Sequence, residues 1–384
     1  MEENNSRRNF VKSSAAAGAG LLILSPQVVR GYQANSALTV GLLGAGRRGT
    51  AISGIFAKNE FARIAAICDI YPDQIEAASK KFAGAKTFTN YKDLLASDVD
   101  AVYIATPPFL HPEHFEAAVN AKKHIFCEKP AGVDVAGCKR VLAAARKADK
   151  TKRISFDYQQ RYGVDYNAAY DKVKNGGIGK IAMVRASWLG GGLPLRSGHP
   201  ASEEKIRNWL FYPEYSGDII VEQNCHNLDV VNWFMGTHPV KVSGYGNRAI
   251  RKSPGSILDS LGVTFDFADG TVFSYAAGQF DNRIYQDISE TFIGEKGSIR
   301  TSRKGYEYFT KPFTAPQVVQ SASSKADITK DAVDAFVDGA RNGKIENAAF
   351  WAVPSTLTAI MAREAIYSGK PVTWADLKVG EIQA

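Results

Sequence analysis

The pattern of apolar and polar positions predicts alternating strands and helices over residues 38–158. Short apolar runs typical of buried strands occupy residues 38–43, 63–70, 101–106, 124–129 and 153–158. Stretches with helical spacing of apolar residues lie between them, at residues 72–82, 114–121 and 136–148. Strands and helices that alternate in this way are typical of an α/β domain built on a doubly wound parallel sheet.

The pattern changes after Arg161 to longer, more amphipathic strands joined by tight turns. These strands are predicted at residues 180–189, 240–247, 260–267 and 271–280, with a hairpin turn at residues 268–270. Helices are predicted at residues 328–341 and 352–368, the second ending at Gly369, and the polar residues 321–327 are typical of a linker. We therefore expect an α+β domain with a large, mostly antiparallel sheet over residues 159–384.

The first 37 residues have the layout of a signal peptide. A polar start contains Arg7 and Arg8, and a small apolar run follows at residues 15–24, which is shorter than the ~20 residues a membrane-spanning helix needs. The stretch "SRRNFVK" resembles the twin-arginine export signal, which implies a periplasmic protein exported already folded. Cleavage is placed after Ala37, and the alternative is a disordered basic tail.

Composition narrows the possible partners. The formal charge is +8, but the lysines and arginines are scattered rather than clustered, which argues against a nucleic-acid or anionic-surface partner. The short apolar run at residues 15–24 argues against stable membrane insertion. The cysteines show neither a CxxC pair nor metal-ligand spacing, so we expect buried free thiols and no metal; they are Cys68, Cys127, Cys138 and Cys225.

A glycine motif follows the first predicted strand. Gly44, Gly46 and Gly49 have GxGxxG spacing directly before a helical run, which places the pyrophosphate of a dinucleotide at a helix N-terminus. Asp69 closes the second predicted strand, where a carboxylate accepts hydrogen bonds from the adenosine ribose and repels a 2′-phosphate. The motif predicts Rossmann-type binding of NAD, with NADP possible because Arg47 and Arg48 can counter that repulsion.

Two further strand ends carry candidate cofactor contacts. The third predicted strand ends in "ATPPFLH", which places Thr106, Pro107 and His111 at the carboxyl edge of the sheet, where ligands of such sheets bind. The next strand ends in "CEKP", with Glu128 and Lys129 over the same crevice. The alternative is that the prolines only end a strand, that His111 caps a helix, and that the "EKP" charges form a surface ion pair.

Taken together, the glycine loop, "ATPP", "EKP" and the two-domain layout resemble the Gfo/Idh/MocA family of sugar and polyol oxidoreductases. The resemblance covers nearly the whole chain after the signal. It implies a nicotinamide cofactor, a secondary hydroxyl as the oxidised group, and an active site that contains the "EKP" lysine.

A second constellation supports the resemblance. Glu222, His226 and Asp229 are spaced at i, i+4 and i+7, which predicts one shared helix face. The family pattern has Asp at the first of these positions, so Glu222 is a departure, as is Asn224 in place of a glycine. The alternative is a structural histidine in the core.

Hydride transfer from an alcohol requires a base within hydrogen-bond reach of the hydroxyl. His226, with its ring oriented by Glu222, suits that role, and Lys129 suits stabilisation of the alkoxide, although the residues leave an exchange of these two roles open. The stretch "DYQQRY" resembles the family's segment that leads into the second domain, where Gln160 and Arg161 can contact cofactor or substrate. The loops "RSGHP", from Arg196, and "RNW", with Arg207 and Trp209, suit a sugar ring or equally plain surface, and Asp229 is a further candidate substrate contact.

The leading hypothesis is an NAD(P)-dependent dehydrogenase for a sugar, glycoside or polyol, assembled as a homo-oligomer through the C-terminal sheet. The first alternative resembles glycoside hydrolase family 109, in which recycled NAD supports glycoside cleavage without net redox change. A catalytically silent NAD-binding partner is the second. Export would separate the protein from free NAD, so we expect a tightly bound cofactor.

Overall fold

The computed structural model describes residues 37–280, 285–310, 314–315, 317–319 and 327–382. The predicted signal peptide and the predicted linker lie outside these residues, except for the last residue of each. Within them the chain builds two sheets.

The first sheet is parallel throughout and, in the described residues, has the strand order β3-β2-β1-β4-β5-β6. Its strands are β1 (Leu38–Leu43), β2 (Ala62–Cys68), β3 (Lys86–Phe88), β4 (Ala101–Ile104), β5 (His124–Cys127) and β6 (Ile154–Phe156). Its helices are α1 (Arg47–Phe56), α2 (Pro72–Ser79), α3 (Tyr91–Ala96), α4 (His111–Asn120) and α5 (Val135–Ala145). The predicted doubly wound sheet is confirmed. β3 was not predicted, because its three residues are exposed or half-buried and show no apolar run.

The second sheet has the order β14-β13-β12-β11-β7-β10-β9-β8-β15 in the described part of the chain. Its strands are β7 (Ile181–Gly191), β8 (Lys241–Asn247), β9 (Ser260–Asp266), β10 (Val272–Phe280), β11 (Asp287–Gly294), β12 (Ser298–Ser302), β13 (Gly305–Phe309), β14 (Gln317–Val319) and β15 (Val372–Thr373). β7 and β10 pair in parallel and the other neighbours pair antiparallel, so the predicted mostly antiparallel sheet is confirmed. The predicted hairpin turn joins β9 to β10, with Gly270 at φ +87°.

Seven further helices accompany the second sheet in the described residues. They are α6 (Val164–Lys174), α7 (Glu204–Arg207), α8 (Pro213–Ser216), α9 (Asp218–Glu222), α10 (Cys225–Met235), α11 (Ile328–Asn342) and α12 (Ala349–Ser368). The fully buried Phe336 of α11 packs against Phe56 of α1 and Phe126 of β5, with ring centroids 6.0 and 5.3 Å apart. α11 therefore completes the core of the first sheet, although it follows the second sheet in sequence.

All four cysteines are buried free thiols, as predicted. No helix in the described ranges is long and apolar enough to cross a membrane. Over the same ranges, no group of three His, Cys, Asp or Glu side chains is placed to hold a metal ion.

Candidate active site

The glycine loop between β1 and α1 is shaped by close backbone approach. Gly44 has φ +96°, and a Cβ there would lie 2.7 Å from the carbonyl group of Ala105. A Cβ at Gly49 would lie 2.0 Å from the Gly44 carbonyl oxygen. Gly46 is the N-cap of α1 and contributes no side-chain cap, so it leaves the first turn of the helix open to a ligand. The three glycines thus serve the tight turn, the approach of a pyrophosphate and the close packing of the helix, as the motif predicts.

Asp69 lies beside this loop, directly after β2. Its Oδ2 accepts the N–H of Ala45 at 2.8 Å, and its Oδ1 accepts the N–H of Tyr71 at 2.9 Å. Burial raises the pKa of the Asp69 carboxyl, and these two donors oppose that shift. The carboxylate is held against the glycine loop, where a ribose hydroxyl can reach the remaining lone pairs.

A cavity of about 480 Å³ opens along the carboxyl edge of the first sheet. Gly44, Gly46, Asp69, Thr106 and Pro107 line it, which brings five of the predicted cofactor contacts together. Residues of the second domain close its outer side: Arg196, Ile206, Arg207 and Trp209. Among the described residues that line this cavity, none belongs to the cluster of Lys129, Glu222 and His226.

The side chains of Arg47 and Arg48 have different surroundings. Arg47 is exposed on the first turn of α1. Arg48 donates to Glu128 Oε1 at 2.8 Å and to the buried carboxylate of Asp157. Burial alone would raise the pKa of Glu128, but Arg48 and the Tyr103 hydroxyl hold it below its ordinary value. The predicted cofactor contacts Arg48 and Glu128 are thus engaged in an ion pair, in which the Arg48 side chain is 43% exposed and the Glu128 side chain 7%.

His111 joins two of the predicted motifs. Its Nδ1 lies 2.7 Å from the carbonyl oxygen of Pro130 in "EKP", and its Nε2 lies 2.8 Å from that of Thr106 in "ATPP". Burial lowers the pKa of His111, so the neutral ring has a proton for one of these carbonyls. The structure places His111 between the two loops as a brace, and differs here from the predicted cofactor contact.

Lys129 and Glu222 form the centre of the candidate active site. Lys129 Nζ donates to Glu222 Oε1 at 2.7 Å and also to the Glu222 backbone carbonyl. Burial alone would lower the pKa of Lys129, but the Glu222 carboxylate outweighs it, and the pKa lies above its ordinary value. The lysine therefore stays a cation over the range in which enzymes work.

Glu222 and His226 do not share one continuous helix, contrary to the spacing argument. α9 ends at Glu222, and α10 begins at Cys225. The Glu222 carbonyl, which in a continuous helix would accept from the N–H four residues on, receives Lys129 Nζ. Glu222 consequently orients Lys129, and the predicted orientation of the His226 ring by Glu222 is not what the structure shows.

His226 is buried between aromatic rings. It stacks on Trp188 at 5.8 Å and meets Tyr158 edge-on at 6.0 Å. Burial, reinforced by the positive charges of Lys129, Arg303 and Arg48, lowers its pKa well below the ordinary value. Its Nδ1 has no hydrogen-bond partner among the described residues. The ring is therefore neutral and lies near a permanent cation.

Two predicted substrate contacts are paired with each other instead. Arg161 forms a bidentate ion pair with Asp229, at 2.8 to 3.1 Å, and Ser355 donates to the same carboxylate at 2.7 Å. The Arg161 guanidinium also lies 4.1 Å from the ring centroid of Trp351. The Asp229 carboxylate is thus engaged by Arg161 and Ser355 inside the protein. The amide atoms of the buried Gln160, by contrast, have no partner in the described ranges.

Arg207 and Trp209 line the cavity beside the glycine loop, and the sugar contact predicted for them stays a prediction. A sequence cannot show which side of a cleft a long connection crosses. Tyr71, Asp73 and Trp188 were not singled out by sequence reasoning, because none of them belongs to a motif.

Comparison with known proteins bears on this geometry. Residues 38–156 match the family described as "Oxidoreductase family, NAD-binding Rossmann fold", and residues 166–300 match the "GFO/IDH/MocA C-terminal domain". The chain belongs to the Gfo/Idh/MocA family. Members of this family carry the parallel and the mostly antiparallel sheet described above, so the predicted resemblance is confirmed.

The individual proteins that this chain resembles share between 20% and 30% sequence identity with it. Inositol 2-dehydrogenase of Rhizobium meliloti is 30% identical over 233 residues, which is 60% of this chain and 65% of that protein. The structure of scyllo-inositol dehydrogenase from Lactobacillus casei with NAD(H) and scyllo-inositol has a TM-score of 0.71 at 23% identity, over 88% of this chain and 99% of that one. The structure of levoglucosan dehydrogenase in complex with NADH and L-sorbose has a TM-score of 0.75 at 20% identity, over 89% of this chain and 100% of that one. At these identities the structural likeness shows the fold.

The described residues fit a nicotinamide dinucleotide. A side chain at Gly44 or Gly49 would collide with neighbouring backbone and displace the loop. Gly46 leaves the N-terminus of α1 free for a pyrophosphate. Asp69 is placed for the adenosine ribose. Thr106 and Pro107 continue along the edge from there, at the strand end that precedes the Lys129 loop.

Proposed function

We propose that this protein oxidises a secondary hydroxyl of a sugar, glycoside or cyclitol with NAD as hydride acceptor. The observation that carries the proposal is a buried Lys129 kept cationic by Glu222 beside a neutral His226. That pair supplies both functions which alcohol oxidation needs from a protein. The inositol and levoglucosan dehydrogenases among its relatives support a ring polyol as the substrate class.

The nicotinamide ring, when bound, supplies the acceptor for the hydride that leaves the carbinol carbon. The His226 imidazole accepts the hydroxyl proton as the hydride departs, and becomes an imidazolium. Lys129 donates a hydrogen bond to the same oxygen and stabilises its alkoxide character, since the ammonium already carries its charge before the reaction. The pKa directions support this assignment over the exchanged one, because a cationic lysine cannot act as the base.

The aromatic wall around His226 suits a ring substrate. Trp188 and Tyr158 border the imidazole, and Gln160 brings a buried amide with free donor and acceptor atoms to the turn that packs against α10. A ring with several hydroxyls offers partners for such an amide, whereas a simple apolar alcohol does not.

The direct test is a screen of inositols, pyranoses and aryl glycosides for NADH formation. We expect Lys129→Met and His226→Asn each to lower kcat by roughly 10² to 10⁴ while NAD binding is retained. Lys80→Met, which removes an exposed lysine at the C-cap of α2, is the matched control and should keep full activity. Full activity in either active-site variant would refute the mechanism, and glycoside cleavage without NADH formation would favour the hydrolase alternative.

We further propose NAD rather than NADP as the cofactor, on the support of Asp69 at the ribose position. Replacing Asp69 with Ser should weaken NAD binding and reduce the difference in affinity between NAD and NADP. The reason is that the carboxylate accepts hydrogen bonds from the ribose hydroxyls of NAD and repels the 2′-phosphate of NADP. Dissociation constants for both cofactors, measured by fluorescence titration, check this. An unchanged ratio would place the discriminating residue elsewhere.

Export by the twin-arginine route, with the cofactor bound beforehand, is a proposal that rests on residues 6–14 and on the need for a dinucleotide outside the cytoplasm. Fractionation of cells that produce the full chain should recover it in the periplasm, and Arg7→Lys with Arg8→Lys should retain it inside. Recovery of the unaltered chain in the cytoplasm alone would contradict the proposal.

A further inference from the structure

A connection of the second domain, residues 193–212, lies across the carboxyl edge of the first sheet; we refer to it as the crossing segment. It begins after β7 and includes α7. Its residues Arg196, Ile206, Arg207 and Trp209 line the cavity that the glycine loop and Asp69 also line. The wall of the dinucleotide site is therefore built from both domains.

Arg207 anchors the crossing segment to the first domain. Its guanidinium donates to both oxygens of Asp73 at 2.8 Å and lies 3.9 Å from the ring centroid of Tyr71. Tyr71 and Asp73 are the N-cap and second residue of α2, just after Asp69. The Arg207 contacts, which we call the anchor, thus lie at the same end of the cavity as Asp69.

The crossing segment is braced internally, so the anchor positions a defined surface. The buried Asn208 accepts the N–H of Arg196 at 2.8 Å and donates to the Arg196 carbonyl at 3.0 Å. Asn208 also donates to Glu204, which pairs with His199 at 2.7 Å. These bonds hold the backbone of Arg196 from both sides.

Arg196 faces the glycine loop. Its Nη2 lies 3.7 Å from the position that a Cβ on Gly46 would occupy, at the N-terminus of α1. Arg207 is neutralised by Asp73 and Glu203, whereas Arg196 has no carboxylate within ion-pair distance among the described residues. Its polar contact there is Gln74 Oε1 at 3.4 Å. A cation without an acidic partner, opposite a helix N-terminus, is placed to bind an anion from the other side.

We propose that Arg196 binds the pyrophosphate of the dinucleotide from the second domain and that the Arg207 anchor keeps the crossing segment closed over the adenosine half, which retains the cofactor between turnovers. The proposal deepens the proposed function and rests on the dinucleotide site, not on the substrate. Release of the cofactor then requires the Arg207 contacts to break and the Arg196 contact to separate.

The first experiment measures NADH dissociation by stopped-flow fluorescence, without substrate. We expect Arg207→Ala to raise the dissociation rate on the order of fivefold, because a partly exposed ion pair and a cation–π contact are each modest. Arg196→Ala should raise it roughly tenfold or more, since a hydrogen bond to a charged group is stronger. Arg140→Ala, which breaks the more exposed Arg140–Glu116 pair between α5 and α4, is the control and should leave the rate unchanged.

The second experiment separates phosphate binding from a structural effect. Arg196→Ala should weaken ADP-ribose but leave adenosine, which has no phosphate, at its original dissociation constant. Arg196→Lys, which keeps the charge, should recover part of the ADP-ribose affinity. Equal loss of adenosine and ADP-ribose would overturn the phosphate assignment.

The anchor is tested by combining Arg207→Ala with Asp73→Asn. Because the two residues act through one contact, the double variant should release NADH no faster than Arg207→Ala alone. Wild-type dissociation rates in the Arg207→Ala and Arg196→Ala variants would overturn the proposal. A failure of the proposed function is distinguishable, since it would show as absent substrate oxidation with these dissociation rates unaffected.

Discussion

At the scale of single residues, the site depends on two opposite pKa shifts placed side by side. Burial disfavours the charged form of both His226 and Lys129, but only Lys129 has a carboxylate in contact. The same burial therefore keeps one group neutral and leaves the other charged. His226 should set the acid limb of the rate profile, below its ordinary pKa of about 6.5.

Glu222→Gln tests the part that the carboxylate plays. Without the negative charge, burial of Lys129 is no longer offset, so its pKa falls and the ammonium is lost at lower pH than in the unaltered protein. The alkaline limb of kcat/KM against pH should consequently move to lower pH. Glu222→Asp, which restores the residue of the family pattern, should move the limb back in part. An alkaline limb that stays in place in Glu222→Gln would show that Lys129 does not depend on this contact.

At the scale of elements, the junction of β1 and α1 decides whether a cofactor can bind. A Cβ at Gly49 would overlap the Gly44 carbonyl at 2.0 Å, so the helix must move away from the strand. The N-terminus of α1 would move with it. Packing between a strand and a helix is therefore part of the binding site, although Gly49 is buried and need not touch the ligand.

Gly49→Ala should abolish or greatly weaken NAD binding for this reason and lower the melting temperature. Gly54→Ala is a matched control in the same helix, because no atom lies within 4 Å of the added Cβ. That substitution should leave NAD binding intact and stabilise the protein by up to about 1 kcal/mol, the helix preference of Ala over Gly. Calorimetric binding and thermal unfolding of both variants check the prediction, and equal behaviour of the two would contradict it.

At the scale of the whole molecule, buried acidic groups of the second sheet link stability to pH. Glu290 of β11 accepts from Thr301 and Asn227, and burial raises its pKa to about 7. Between its ordinary value and that pKa, the unfolded chain has lost the proton and the folded protein keeps it. Stability from this group therefore falls as pH rises through that window and is constant above it.

Glu290→Gln, which mimics the protonated acid, should remove this dependence. Relative to the unaltered protein, the variant should gain free energy of unfolding between pH 5 and pH 8, by up to roughly 3 kcal/mol. Denaturant unfolding at the two pH values measures this difference. Glu295→Gln, at an exposed position in the turn between β11 and β12, controls for the loss of a carboxylate. A difference that stays constant with pH would refute the assignment to Glu290.

Local physics explains what could be predicted from the sequence. The strands of the first sheet follow from runs of apolar residues, and the glycine loop follows from positions where no side chain fits. Lys129 and His226 stood out because the motifs that contain them resemble the Gfo/Idh/MocA pattern. β11 to β13 were missed because buried polar residues such as Glu290 and Thr301 interrupt their apolar alternation.

The amino-acid sequence by itself determined the two-sheet architecture, the glycine loop and the identity of Lys129 and His226, since these depend on residues close together along the chain. Only the tertiary structure decided which charges meet. Ion pairs join Glu222 to Lys129, Arg161 to Asp229 and Arg207 to Asp73. Each pairing joins segments far apart in sequence, and its partner is chosen by how a helix break or a long connection packs, which no local pattern records.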